Sequence, residues 1–261
     1  MSVVKALVHP TAYVGDGVKL GEGCRIEAYS KIFSGVELSG NVFVDFEAAI
    51  FGPTKIGEGT YVGSNCLIGH PRREELGSAL KERAGGFSPR RAETVIGKKC
   101  VIRSGCIIYS GVKIGDGVEF GHNVLVREDV EIGEGSLVGT NSVIDGRCSI
   151  GRGGSIQTGA YISACSKIED RSFLGPYCIL LNDKYAAKKK AKLVGPTIKK
   201  GASIGGNAAI MAGVTVGEHS LVGASAVVTK DVPSRSIYVG VPAKLLKRVP
   251  EEWITSFRPR P

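Results

Sequence analysis

The sequence predicts an all-β fold, a three-sided parallel β-helix. Three observations carry that expectation. An aliphatic residue recurs every six positions, the fourth residue after it is nearly always small, and the residue directly after it is often glycine. Neither an α-helix nor a simple alternating strand has a period of six. The ladder runs in steps of six from Val8 to Ile68, from Ile96 to Leu180 and from Ile198 to Val228, with Phe120 its one aromatic member. One large and one small side chain per hexad point into a narrow interior. Glycine, or a residue that tolerates an unusual backbone angle, turns the corner between short strands. Three hexads close a coil of 18 residues, and successive coils stack as parallel strands ~4.8 Å apart. Gly at 37 of 261 residues and aromatics at 7% suit a rod of tight turns with an aliphatic core.

The β-helix is expected over 1–232, with insertions at 70–94 and 181–197. A C-terminal extension, partly helical, follows at 233–261. Insertions in a solenoid fall at its corners and are commonly functional. The first, "HPRREELGSALKERAGGFSPRRAET", predicts a short helix around Glu74–Arg83 and offers Arg72, Arg73, Arg90 and Arg91 to phosphates, or simply forms a solvated flap. The second, "LNDKYAAKKKAKLVGPT", carries Lys188, Lys189, Lys190 and Lys192, a solvated run or a phosphate contact.

The net charge of +9 is dispersed, without a recognisable nucleic-acid motif, so a phosphorylated small molecule is the better expectation. No apolar run is long enough to span a membrane and no signal peptide is evident, which makes the cytoplasm the expected compartment. Of seven cysteines, Cys24, Cys66, Cys100, Cys106, Cys148 and Cys178 take the small inward slot, and Cys165 falls one position earlier. Their spacing is not that of a metal finger, so they read as buried small hydrophobes and no metal is expected.

The [LIV]-G-x-x-[small]-x pattern resembles the hexapeptide-repeat acyltransferase superfamily, and the likeness covers nearly the whole chain. It implies a left-handed β-helix, which periodicity alone does not give, and a homotrimer with active sites between subunits. The segment "ILLNDKY", followed by "GPTIKKGASIGGNAAIMAGVTVGEHSLVGASAVVTKDVP", is similar to the C-terminal half of nucleotide-linked amino-sugar N-acetyltransferases. Leu181 stands where those enzymes carry Thr, and Ala186-Ala187 replace a Pro-Arg pair. By this resemblance Asn182, Asp183, Lys184 and Tyr185 face the sugar nucleotide. Gly206, Ala212, Gly213, Ala224 and Lys230 line coenzyme A. The phrase "VGVPAKLLKR" resembles the coenzyme A signature of the superfamily, which adds Pro242, Lys244 and Lys247 near its phosphates. The same phrase reads equally as a helix covering the open end of the solenoid.

His122 is the second residue after Phe120 and should project outward. "FGHNVLVRE" resembles a phrase of hexapeptide transferases acting on amino-sugar nucleotides, in which a cleft histidine serves as general base. An amine attacking a thioester must lose a proton, and a neutral imidazole can accept one near neutral pH. Asn123 and Glu128 lie close to it in sequence, as candidates to orient it or to hold the sugar. His9, His70 and His219 are weaker candidates, and their spacing does not suit a three-histidine zinc site. The resulting expectation is an enzyme moving acetyl from acetyl-CoA to the amine of a nucleotide-linked amino sugar in surface polysaccharide synthesis. The alternatives are O-acylation of a sugar or serine hydroxyl, or a non-catalytic β-helix scaffold.

Overall fold

A computed structural model describes residues 5–76 and 92–255. The chain forms the expected all-β, left-handed parallel β-helix with two inserted loops and a short C-terminal helix. Short strands, mostly of two residues, build three faces. The first face holds 13 strands, starting at Leu7–Val8; the second holds 11, from Tyr13–Val14 to Val227–Val228; the third holds 10, from Lys19–Leu20 to Thr215–Val216. The chain rounds a first corner between the first and second faces and a second corner between the second and third. Away from the insertions and the C-terminal hairpin, each strand pairs in parallel with one 18 residues on, as Arg25 with Phe43.

The ladder positions are the core. Ile26, Ile50, Ile102, Phe120, Ile144 and Ile162 are each 0–1% exposed. Burying an aliphatic side chain of that size stabilises by about 1.5–3 kcal/mol, and the sum along the ladder holds the rod. The small slot is also a hydrogen-bonding position. Ser30 Oγ donates to the Asp45 carbonyl at 2.8 Å and Ser142 Oγ to that of Gln157 at 3.0 Å. The thiols of Cys24, Cys106 and Cys148 donate in the same way to Ser39, Gly121 and Ser163. The cysteines are free, and all but the half-buried Cys165 are buried.

The glycine after each ladder residue proves to have a different cause from the one expected. A side chain at Gly121 would collide with the backbone of Thr140 in the next coil, so that slot serves close coil-to-coil approach. The left-handed backbone sits two residues later, where Asn65, Asn123, Asn141 and Asn207 have φ between 55° and 58°. Asparagine tolerates that region better than most residues.

Both insertions leave the rod at the second corner. The first departs after the second-face strand Leu67–His70 and returns at Thr94–Ile96 on the third face. The second departs after Ile179–Leu180 and returns at Thr197–Ile198. The expected helix around Glu74–Arg83 begins at residues 73–76, and its remainder lies outside the described residues.

The phrase "VGVPAKLLKR" is not a helix. Ser236–Val239 adds a parallel strand beside Leu221–Val222, the chain turns at the cis Val241–Pro242 peptide, and Lys244–Arg248 returns antiparallel on the first-face sheet. Among the described residues of the C-terminal extension, helix is confined to Glu251–Thr255. Backbone pairing with an open sheet edge outweighs the weak helical preference of so short a segment.

Candidate functional site

His122 lies at the first corner and is exposed. Its backbone N–H donates to Thr140 Oγ1 at 3.2 Å, and its carbonyl accepts from the Asn141 N–H at 2.9 Å. These bonds fix the backbone and leave the ring facing out. Asn123, beside it, is the corner residue with φ 55°, and its amide occupies the space a side chain at Gly105 would need. Glu128 stands one hexad further on, at the second corner. Within one chain the three residues are therefore divided between two corners.

At the second corner Glu128 is held by Arg127, whose Nε and Nη2 donate to its carboxylate at 2.8 and 3.0 Å. Burial alone would raise the Glu128 carboxyl. Hydrogen bonds from its own backbone N–H and from Arg127 outweigh that and hold it below the usual carboxylate range. The Arg127 guanidinium lies 5.0 Å from the centre of the Tyr109 ring.

One coil nearer the N-terminus is a cluster that the sequence did not reveal as a unit. Arg72 donates to both oxygens of Asp129 at 2.6 and 3.1 Å and to the Ser110 carbonyl at 3.2 Å. Glu75, 8% exposed, accepts from Ser110 Oγ at 3.1 Å and from the Arg72 N–H at 2.8 Å. This clamp pins the root of the first insertion to the rod. Arg72, offered to phosphates on sequence grounds, is engaged in it; Arg73 is exposed, and Arg90 and Arg91 lie outside the described residues. Arg72 and Asp129 lie 57 residues apart in the sequence, so their pairing carries no local signal.

The second corner also carries Asn182, Asp183, Ala212, Gly213 and Lys230 on higher coils, toward the C-terminus. Asn182 donates through its side-chain amide to the Ala164 carbonyl at 3.1 Å. Asp183 accepts from the N–H groups of Tyr185 and Ala187 at 2.9 and 2.8 Å, which hold its carboxyl below its ordinary value and shape the loop. Tyr185 is flanked by Lys184 and Lys189 at 6.0 and 5.4 Å from its ring centre. Lys188, Lys190 and Lys192 are exposed. Gly206 and Ala224 lie with His122 on the first corner. Lys244 and Lys247 are exposed on the returning strand, with Pro242 in its turn, and the Lys247 ammonium is 5.8 Å from the Trp253 ring.

The remaining histidines sit elsewhere. His9 bonds to Thr11 near the start of the rod, His70 is half-buried at the second corner, and His219 lies at the third. Among the described residues no group of three His, Cys, Asp or Glu is placed to hold a metal, and no helix is long and apolar enough to cross a membrane. An open groove of about 700 Å³ runs along the third face, lined by Lys113, Glu131, Ser149, Asp170 and Lys200, away from every candidate residue.

The second face lies between the two candidate corners, and its outer row is apolar from Leu67 onward among the described residues. Leu67, Ile107, Leu125, Val143 and Val227 are half-buried and Ile179 is 42% exposed.

Residues 93–128 and 195–230 match the bacterial transferase hexapeptide family (six repeats). The chain is 50% identical over 48 residues to dTDP-3-amino-3,6-dideoxy-alpha-D-galactopyranose 3-N-acetyltransferase of Aneurinibacillus thermoaerophilus, covering 18% of this chain and 25% of that one. It is 48% identical over 48 residues to a putative acetyltransferase of Staphylococcus aureus, covering 18% and 24%. The aligned segment thus spans about a quarter of these relatives. The structure is similar to UDP-N-acetylglucosamine acyltransferase from Campylobacter jejuni, with a TM-score of 0.53, 18% identity and coverage of 92% of this chain and 74% of that one. The resemblance to hexapeptide-repeat acyltransferases is thereby borne out for the repeat and for the fold.

Proposed function

We propose that the protein is a coenzyme A-dependent acyltransferase that moves acetyl from acetyl-CoA to the amine of a nucleotide-linked amino sugar destined for surface polysaccharide, working in the cytoplasm as a homotrimer. One observation carries this reading. The candidate residues other than the C-terminal hairpin lie at, or in the loop leaving, the two corners that flank the second face, whose outer row is apolar from Leu67 onward. If three copies pack that face around a common axis, the first corner of each meets the second corner of its neighbour. His122, Asn123, Gly206 and Ala224 then oppose Glu128, Asn182, Ala212 and Lys230 across three equivalent grooves. An apolar face of this kind favours burial against another chain.

In such a groove His122 and Glu128 share one level along the rod. The residues assigned to the donor lie above it. Gly206 and Ala224 are four and five coils beyond His122, about 19 and 24 Å at ~4.8 Å per coil. An extended thioester chain running down the groove brings its carbonyl to His122 while its phosphates stay near Lys230, Lys244 and Lys247. The acceptor amine attacks the carbonyl carbon, His122 takes the proton the amine sheds, and the carbon–sulfur bond breaks to release the thiol. Backbone N–H groups of a facing coil are the natural donors to the oxyanion. The local similarity to an amino-sugar N-acetyltransferase supports an amine as acceptor.

The test is to incubate the protein with acetyl-CoA and a panel of UDP- and dTDP-linked amino sugars, following thiol release, with light scattering for the mass. The reading expects a trimer, turnover with at least one amine, and a loss of roughly 100-fold or more in His122→Ala, in the range a general base contributes. Full activity of His122→Ala at neutral pH removes the base. A monomer with no thiol release toward any amine or hydroxyl removes the enzyme.

A further inference from the structure

Between the level of Glu128 and that of Asn182 the second corner carries four carboxylates, and three of them are fully engaged. Both oxygens of Asp129 accept from Arg72, both of Glu128 from Arg127, and both of Asp183 from backbone N–H groups of its own loop. Asp145, half-buried one coil above Glu128, differs. Its Oδ2 accepts from the Tyr161 hydroxyl at 2.7 Å, and its Oδ1 accepts nothing from the described residues. The one buried orphan among those residues is Ser163 Oγ, so Asp145 Oδ1 is open to solvent. The same pairing occurs low on the first corner, where Tyr61 donates to Asp45 Oδ2 at 2.8 Å. There the Phe46 N–H takes the other oxygen at 2.9 Å, and the contact is closed. At Asp145 the tyrosine steadies the carboxylate and leaves half of it free. The bond to Asp145, with burial, pushes the Tyr161 hydroxyl up to about 12, so it stays a donor through neutral pH. The corner beside it is uncluttered. Gly146 and Ala164 hold the positions between Glu128 and Asn182, and a side chain at Gly146 would stand 3.3 Å from Glu128 Oε1.

We propose that Asp145 anchors the sugar ring of the acceptor, its Oδ1 accepting from a ring hydroxyl beside the amine, with Tyr161 as the residue that positions it. This rests on the reading of the protein as a nucleotide-sugar acyltransferase and adds to it the wall along which the acceptor lies. Asp145 is one coil above Glu128 and Asn182 is three, about 5 and 14 Å at ~4.8 Å per coil. The first distance is about the width of a pyranose ring, and the second leaves room for a diphosphate. The acceptor thus runs up the second-corner wall, with its amine at the level of His122, its ring at Asp145 and its nucleotide toward Asn182, Asp183, Lys184 and Tyr185. The donor's arm descends the facing first-corner wall of the neighbouring copy, below Gly206 and Ala224. A hydroxyl is the fitting partner for this oxygen. It donates a charge-assisted bond to the carboxylate, whereas an ammonium held there would have its pKa raised and would surrender its proton less readily.

The experiment uses the full-length protein and the UDP- and dTDP-linked amino sugars, each beside its counterpart lacking the hydroxyl next to the amine. Asp145→Asn should raise the KM for the amino sugar roughly tenfold or more, as the loss of a hydrogen bond to a charged group does, and leave the KM for acetyl-CoA unchanged. The deoxy counterpart should bind wild-type and Asp145→Asn protein equally, a coupling that a merely structural role does not produce. Tyr161→Phe should weaken the amino sugar less than Asp145→Asn does, and Asp45→Asn should change nothing. Equilibrium dialysis without acetyl-CoA needs no turnover, so a loss of affinity in Asp145→Asn upholds the anchor even if the acyl transfer reading fails. The anchor is overturned by unchanged amino-sugar affinity in Asp145→Asn, by an equal loss with the deoxy counterpart, or by a KM change that falls on acetyl-CoA. Failure of every amino sugar to bind overturns it together with the acyl transfer reading.

Discussion

The second and third faces of the rod share one interior and differ only outside. Both present a buried aliphatic ladder, Ile108, Val126 and Ile144 on one and Ile114, Ile132 and Ile150 on the other. Outward, the third face carries charged rows: Lys19 pairs with Glu37 at 2.9 Å and Lys113 with Glu131 at 2.9 Å, and at the corner beyond them Lys199 pairs with Glu169 at 2.8 Å. The second face carries Leu67, Ile107, Leu125, Val143 and Ile179 instead. An ion-paired surface is content in water, whereas a strip of exposed aliphatics is not. The inward residues therefore specify the coil, and the outward ones give each face its own surface.

The sharpest way to break this contrast is to place charge on the apolar strip. Leu125→Asp with Val143→Asp, adjacent on paired strands, should leave the coil signal in circular dichroism intact but abolish the proposed trimer by light scattering and, with it, the proposed acyl transfer. Exchanging Lys113 and Glu131 on the third face should change neither. A trimer that survives the first pair would locate the assembly surface elsewhere.

The interior common to both faces should respond next most strongly. Ile144→Ala, at a position 0% exposed, should cost about 2–5 kcal/mol in denaturant unfolding. Leu7→Ala, at a position 64% exposed, should stay within about 0.5 kcal/mol. Equal costs would mean that inward and outward positions are not distinguished as described.

The buried thiols give a milder, pH-dependent effect. Burial pushes Cys178 and Cys148 from 9.0 up to about 12. A group whose folded pKa is raised contributes stability that is complete below its unfolded pKa and is lost as pH rises through the folded one. The melting temperature should therefore lose this contribution progressively between pH 9 and 12, and Cys178→Ala should reduce the slope. A slope unchanged in that variant would assign the alkaline loss to other groups.

The smallest effect concerns Ser163, whose buried Oγ has no hydrogen-bond partner among the described residues. Removing an unsatisfied hydroxyl is nearly neutral or stabilising, so Ser163→Ala should melt at the wild-type temperature or slightly above it. A clear drop would reveal a partner for that hydroxyl.

Much of this was legible in the sequence because a solenoid writes its geometry as a period. The ladder from Val8 to Val228, the small slot and both insertions follow from counting in sixes. Counting ladder residues in threes also assigns faces, and it separates the corner of His122 from that of Glu128, which nearness in sequence had suggested were together. Other features depend on contacts that the period does not encode. Arg72 finds Asp129 only because the insertion returns to the same corner. Lys244–Arg248 is a strand because an open sheet edge awaits it, and "KLLKR" alone does not distinguish strand from helix. The apolar strip was present in the residue just before each ladder position, but it becomes a surface only when every third hexad is aligned.

The returning strand Lys244–Arg248 also sets a terminus on the architecture. Every earlier turn of the chain offers the next a template pointing the same way. This one points backwards, bristles with cations and gives a further coil nothing to copy. The backward turn acts as a full stop, and it ensures that the two ends of the molecule cannot be mistaken for one another.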